Sequence, residues 1–434
     1  MDALLDSSAQ VLAQALRERV VLSTELTQAF LDRIAEVNPG INAAVTLVGE
    51  RALAEARLAD AALAAGADLG PLHGVPFTAK DVFDTEGVVT AMGLPERSRH
   101  VPGRDAVAVA RMRAAGGILI AKTNCPSGGG GGVTDNEVYG RTNNPYDLER
   151  TPGGSSGGEA ALQGAGGSPL GLGSDSGGSV RLPAHYCGVA GLKPTTGRVP
   201  NTGVFEHPGG LSDTRTQIGP LSRFVEDLGV ALAIISGPDW IDSGVVPMPL
   251  GGIDDVRISE LRVAYYDDDG CAAPTQETKA VVRSAAQLLS DAGATVEETL
   301  PPGIEEALPI TQGYWGMTKL TGAEVEQLYF RWDRFRSRML GFIQNYDLLL
   351  CPADHHPAPL HDDPDESRFA YTLPFSLTGW PCVVVRAGWS GEDMPIGVQV
   401  VARPWQEHVA LAAARHIEAC GGGWRPPGLQ TDGR

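Results

Sequence analysis

Lysine is nearly absent from this chain. Its 434 residues carry five, Lys80, Lys122, Lys193, Lys279 and Lys319, against 29 arginines. Arginine serves wherever a plain surface charge is enough, so a lysine inside an apolar run calls for a reason. Positive charge is short overall: the formal net charge is −19, which argues against nucleic-acid backbones and anionic membranes as direct partners. The six cysteines are scattered and form no C-x-x-C pair, which favours reduced, unpaired thiols over a disulfide framework or a zinc site. No uncharged apolar run approaches the ~20 residues of a membrane span. The opening M-D-A-L-L-D-S-S lacks the basic and apolar regions of a signal peptide. These absences point to the cytoplasm. No Gly-Lys dipeptide occurs, which excludes a P-loop.

What the chain has is core and glycine. Hydrophobic residues make up 42%, enough for a large buried interior, and the length allows either two or three domains or one large α/β domain. The first 65 or so residues read as helical: Leu26, Phe30, Ile34 and Val37 keep a helical spacing, with Ser23 as N-cap, Glu25 in the first turn and Asn38-Pro39-Gly40 as the stop. A second, Ala-rich helix covers Glu50 to Ala65. From there helices alternate with short apolar strands. The strands are V-P-F-T-A-K-D-V-F around Lys80, Gly116 to Asn124, Pro169 to Gly173, Leu261 to Tyr266, Thr295 to Thr299, Leu348 to Cys351, Pro381 to Arg386 and Pro395 to Val401. The helices fall at Asp105 to Ala115, Glu159 to Gly166, Arg181 to Gly188, Phe224 to Ile235, Pro274 to Ala292, Glu324 to Phe342 and Glu407 to Cys420, and Gly191 to Pro194 turns away. Asp239 to Asp255 and Asp354 to Glu366 read as loops. Helix followed by short apolar strand is the grammar of an α/β sheet, and no linker forces a domain boundary.

The densest stretch is Arg150 to Pro194. Two small-residue loops, Pro152 to Gly158 and Gly173 to Ser179, each present a serine between glycines. Glycine lets backbone N–H groups approach a ligand closely, as an oxyanion hole or anion nest requires. Ser155 and Ser179 need a base to act as nucleophiles, and lysine fills that role in Ser-Lys hydrolases.

The motifs G-G-S-S-G-G-E (Gly153 to Glu159), G-S-D-S-G-G-S-V-R (Gly173 to Arg181) and G-L-K-P-T-T-G-R (Gly191 to Arg198) closely resemble the amidase signature family of Ser–Ser–Lys hydrolases. G-V-P-F-T-A-K-D, T-Q-I-G-P-L-S-R, D-L-L-L-C-P and P-I-G-V-Q-V-V-A-R extend the resemblance over nearly the whole chain. The intervals of 75 residues from Lys80 to Ser155 and 24 from Ser155 to Ser179 match the family's. The resemblance implies an α/β fold: a single large domain, 1–434, with a central mixed, mostly parallel twisted sheet covered by helices on both faces. Helices of 1–66 lead into a signature core, 67–230, and 231–434 completes the sheet and carries variable loops.

The resemblance also implies the site. Ser179 is the nucleophile, Ser155 the bridging serine after a cis Gly154–Ser155 bond, and Lys80 the base. The backbone N–H groups of Ser176, Gly177, Gly178 and Ser179 form the oxyanion hole, and Asp175, Arg181 and Ser156 support it. The physics agrees, since an ordinary lysine is charged and cannot accept a proton, whereas burial among Val75, Phe77, Val82 and Phe83 favours the neutral amine. The expected reaction is hydrolysis of a small-molecule amide without cofactor or metal. His355, His356, His361, Asp362 and Asp363 form the one metal-like cluster, and its spacing fits no metal signature. Cys125 is read as packing.

The five glycines Gly128 to Gly132 replace larger residues common in the family, which suggests a roomy or loop-gated acyl pocket. Tyr314, Trp315, Met317 and Trp332 lie in a region open to bordering the substrate site, but aromatic residues at helical spacing are more often core, and core is the favoured reading. Two other readings stand beside the hydrolase. One is the A-type glutaminase subunit of a tRNA-dependent amidotransferase, although Gly203 to Asp213 does not resemble that version. The other is a silent binding protein, although all three catalytic positions are filled. A homodimer is left open.

Overall fold

The computed structural model describes residues 1–67, 70–205, 210, 213–363, 367–421 and 423–428. Parts of two stretches named above, Gly203 to Asp213 and Asp354 to Glu366, lie outside them. In chain order the elements are α1 (Asp2–Leu5), α2 (Ala9–Arg17), α3 (Ser23–Ile41), β1 (Ala44–Leu47), α4 (Gly49–Ala64), β2 (Pro76–Lys80), α5 (Val107–Ala114), β3 (Ile118–Thr123), α6 (Gly157–Gly164), β4 (Leu170–Asp175), α7 (Arg181–Tyr186), β5 (Ala190–Lys193), β6 (Gln217–Ser222) and α8 (Val225–Ile235). After them come β7 (Arg262–Tyr265), α9 (Gln276–Asp291), β8 (Thr295–Glu298), α10 (Ala307–Trp315), α11 (Gly322–Ile343), β9 (Leu348–Pro352), α12 (Leu373–Thr378), β10 (Cys382–Trp389), β11 (Pro395–Ala402) and α13 (Glu407–Gly421).

All eleven strands join one mixed sheet, in the order β1-β3-β2-β4-β6-β5-β10-β11-β9-β7-β8. The sheet is flanked by helices, as an α/β chain requires to cover its apolar strands. Its balance differs from the expectation of a mostly parallel sheet. Parallel pairing is confined to β3-β2-β4 and β9-β7-β8, and every other neighbouring pair is antiparallel. Helical crossovers join the consecutive parallel pairs β2–β3 and β7–β8, whereas β10 and β11 are joined by a short turn and pair antiparallel.

Three of the differences have local causes. The segment Ala190–Lys193, expected to turn away, is strand β5, wedged between β6 and β10. Gly191 makes this possible, because a Cβ there would come within 2.9 Å of Ala184 and Val180. Strand β6, not read as a strand from the sequence, carries Gly219 and Pro220; Gly219 is needed because Leu192 O of β5 occupies the space of its side chain. At the N-terminus α3 runs through Pro39 to Ile41 and ends on Asn42, left-handed at φ 48°. The Asn38 side chain takes the N–H groups of Ala43 and Ala44, each at 2.8 Å, in place of a proline stop. Ser23 is the first helical residue and not the cap; its hydroxyl donates to Gly74 O, and Glu25 accepts the Leu22 N–H. Strand β1 and helices α10 and α12 were not read from the sequence at all.

The sheet places the site. Strands β2 and β4 are parallel neighbours, pairing Thr78 with Gly171 and Ala79 with Leu172. Their carboxyl ends, Lys80 and Asp175, therefore reach the same edge, where ligands bind in α/β sheets.

Candidate active site

Lys80 is the last residue of β2 and is fully buried. Its Nζ lies 2.6 Å from Ser155 Oγ, 3.0 Å from Ser174 Oγ and 3.4 Å from Gly129 O. The Phe205 ring is 5.8 Å away. No carboxylate lies within ion-pair distance of it among the described residues. Burial, which takes water away from the ammonium form, lowers its pKa to about 8, against weaker upward pulls from Cys125 and Asp175.

Ser155 follows a cis Gly154–Ser155 peptide, as expected, just before α6. The two glycines ahead of it are needed there: Gly153 has φ 81°, and a Cβ on Gly154 would come 2.6 Å from Gly131 O. Ser156 clamps the bed. Its N–H donates to Ser179 O at 3.1 Å, and its hydroxyl lies 3.3 Å from Ser174 O. These contacts bring the two serine loops together. Ser155 and Ser179 both line a cavity of about 370 Å3, whose other walls include the glycines Gly129 to Gly131 and the rings of Phe205, Trp315 and Phe369.

Loop 176–179 is shaped from behind by Asp175. That carboxylate accepts the N–H groups of Gly178 at 2.8 Å, Val180 at 3.1 Å and Arg181 at 3.3 Å. The Arg181 guanidinium meets it through Nη2 at 2.9 Å and Nε at 3.0 Å, with both side chains fully buried. Burial alone would raise the Asp175 pKa; the Arg181 charge and hydrogen bond, the Lys193 charge and the Val180 N–H together outweigh it and hold the carboxyl below its usual range. Arg181 also reaches Thr372 O, Ser376 and Gln399, at 2.8 Å each, so one ion pair ties the loop to α12 and β11. One expectation changes here. The Gly178 N–H turns inward to Asp175, and Gly178 is not on the cavity wall, whereas Ser176, Gly177 and Ser179 are. Gly178 itself, at φ 140° with Thr372 crowding the place of a Cβ, admits no side chain.

Sequence reasoning missed several neighbours. Ser174 shares Lys80, and only its position beside Asp175 in the motif hinted at this. Gly129 O, from the glycine run, also touches Lys80. Glu159, fully buried, accepts from Thr123 Oγ1 at 2.8 Å and Gln163 at 2.9 Å, and pairs with Thr78. Burial pushes its carboxyl up to about 7. Cys125 is buried, and the same cause pushes its thiol up to about 12, consistent with packing. The metal-like cluster is narrower than the sequence suggested. Asp354, His355 and His356 each offer a ligand atom, within 4.8 Å of one another, but Asp354 is occupied by Tyr186 Oη and by His355 Nδ1. His356 and His361 border a larger surface cleft of about 770 Å3 that contains none of Lys80, Ser155 or Ser179.

With this geometry in place, comparison with known proteins gives a consistent answer. The Amidase family model matches residues 25–321 and 317–411. The A-type subunit of glutamyl-tRNA(Gln) amidotransferase from Roseiflexus sp. (strain RS-1) is 34% identical, with 92% of this chain and 93% of that protein covered. Fatty-acid amide hydrolase 2-A of Danio rerio is 33% identical, covering 99% of this chain and 91% of its own. The structure of 6-aminohexanoate cyclic dimer hydrolase complexed with substrate superposes with a TM-score of 0.85 at 29% identity, covering 98% of this chain and 99% of the other. The chain belongs to the Amidase family, and it is an enzyme acting on amides. Among the described residues no helix is long and apolar enough to cross a membrane.

Proposed function

We propose that the protein hydrolyses the C–N bond of a small-molecule carboxylic amide through an acyl-enzyme on Ser179. The observation that carries this reading is Lys80 Nζ at 2.6 Å from Ser155 Oγ, under a cavity that Ser155 shares with Ser179. The neutral Lys80 amine takes the Ser155 proton while Ser155 oxygen takes that of Ser179. Ser179 Oγ bonds to the carbonyl carbon, and the charge forms on the carbonyl oxygen facing the amides of Ser176, Gly177 and Ser179. Each such donor is typically worth ~3–4 kcal/mol of barrier. As the C–N bond breaks, the proton returns through Ser155 to the leaving nitrogen. Water then enters by the same relay and releases the acid. The net charge of −19 argues against nucleic-acid backbones and anionic membranes as partners.

A second reading, the A-type component of an amidotransferase, draws support from the Roseiflexus relative; it requires partner chains, and co-purification with them would favour it. The test of the first is a panel of aliphatic and aryl amides with quenched-flow mass spectrometry. The expected result is turnover by the protein alone, an acyl mass on the peptide containing Ser179, and no turnover by Ser179→Ala. An adduct on a different residue would sink the assignment.

The glycine run bears on specificity. A Cβ on Gly130 meets nothing within 4 Å, its φ is an ordinary −114°, and it lines the cavity. Gly130→Leu is therefore tolerated by the backbone and fills part of the space. The longest acyl chain accepted should shorten across a homologous amide series. An unchanged chain-length profile would show that the glycines do not set acyl size.

A further inference from the structure

Arg215 has a buried charge and, among the described residues, no counter-ion. It is 1% exposed, and no carboxylate lies within ion-pair distance of its guanidinium among the described residues. Asp213, the nearest acid in sequence, is engaged by the backbone N–H groups of Arg215 and Thr216 at 3.1 and 2.9 Å. Among the described residues the guanidinium makes one hydrogen bond, from Nη2 to Ser176 O at 3.1 Å, and Nε and Nη1 have no partner. The remaining contacts are aromatic faces: Tyr314, Trp315 and Trp332 at 5.0, 5.7 and 6.0 Å from ring centroid to guanidinium carbon.

Aromatic faces attract a cation but satisfy none of its N–H donors. A buried guanidinium with open donors is costly unless an anion completes it. The position of Arg215 says where that anion comes from. Ser176, Thr216 and Trp315 all line the cavity shared by Ser155 and Ser179. They are, respectively, the hydrogen-bond acceptor of Arg215, its chain neighbour and one of its ring partners. Trp315, the last residue of α10, is 53% exposed, so its ring is not locked in place by packing. The guanidinium thus stands directly behind one wall of the cavity, with a half-exposed indole as the screen.

We propose that Arg215 is a specificity-determining residue that recognises a carboxylate on the amide substrate. This rests on the amide-hydrolase reading and narrows it: the substrate is an amide of a dicarboxylic acid or of an amino acid, in place of a neutral fatty amide. Arginine suits the task because its planar fork pairs with both oxygens of a carboxylate.

The test uses matched 4-nitroanilides. Mono-anilides of succinate, glutarate and adipate are compared with monocarboxylic anilides of equal carbon number. A second pair, acetyl amides of 4-aminobenzoate and of aniline, places the carboxylate on the leaving amine. In one of the two arms the wild type should favour the carboxylate by about 30-fold or more in kcat/KM, the scale of losing one partner of a buried charge pair. In Arg215→Met that ratio should fall to near one, with Arg215→Lys in between. Calorimetric titration with glutarate and 4-aminobenzoate reads the same arginine without turnover, and should show binding to the wild type that Arg215→Met loses. No carboxylate preference in either arm, or a ratio unchanged in Arg215→Met while both rates fall together, overturns the proposal and leaves the arginine a brace for Ser176. Absence of any amide turnover with carboxylate binding intact would count against the hydrolase reading and not against Arg215.

Discussion

Lys80→Met should lower kcat/KM for any amide substrate by about 10^3 to 10^4-fold, the upper range for loss of a positioned proton acceptor, while the fold is retained. Methionine has a similar volume and fills an apolar site without an unpaired charge. Lys80 holds no ion pair among the described residues, so its removal strands no buried charge; the Ser174 backbone stays held by the Ser156 hydroxyl. The wild-type pH profile should carry the signature of the same group. The relay needs the neutral amine, and burial sets its pKa at about 8. Activity should therefore rise with pH toward a plateau above pH 8, and fall about tenfold per unit well below it. In Lys80→Met the residual activity should lose this rise. Full activity in the variant, or a wild-type profile flat from pH 6 to 9, would remove Lys80 from the mechanism.

Arg181→Met should be the most destabilising single change near the site. It leaves the Asp175 carboxylate buried, with its guanidinium partner gone and only backbone N–H groups to hold it. Breaking a buried pair in this way costs about 3–5 kcal/mol. The loss spreads further, because Arg181 also holds Thr372 O, Ser376 and Gln399. Loop 176–179, no longer pinned between β4 and α12, should lose the alignment of its amides, so kcat should fall in the fraction that folds. Asp175→Asn combined with Arg181→Met removes both charges and should recover part of the stability but not the activity. Equilibrium denaturation of the three proteins reads the first effect, and single-turnover rates of the folded fractions read the second. If Arg181→Met is as stable as the wild type, the pair is not what holds the loop.

Much of the site was legible in sequence because its chemistry requires fixed residue types at fixed intervals. Lys80, Ser155 and Ser179 were each placed by motif, and Lys80 stood out further because lysine is so rare in this chain. The fold was legible where periodicity is strong, as in α9 and α11. It was misread where glycine and proline act inside the sheet. Gly219 sits in a strand where the Leu192 backbone leaves no room for a side chain, and Gly191 where the Ala184 and Val180 side chains leave none, and no pattern along one segment reveals that. The inward turn of the Gly178 N–H, the sharing of Lys80 by Ser174 and the open donors of Arg215 depend on contacts between segments far apart in sequence. They became readable only once the sheet had brought those segments together.

The account depends on an amine at position 80 that gives up its proton near pH 8, and the scarcity of lysine makes that directly observable. With 13Cε-lysine incorporated, the spectrum holds five lysine signals, and Lys80→Met identifies the one that matters. That signal should titrate near pH 8, well below the ~10.4 of an ordinary lysine. A Lys80 signal that stays protonated up to pH 10 would contradict the proton relay on which the mechanism rests.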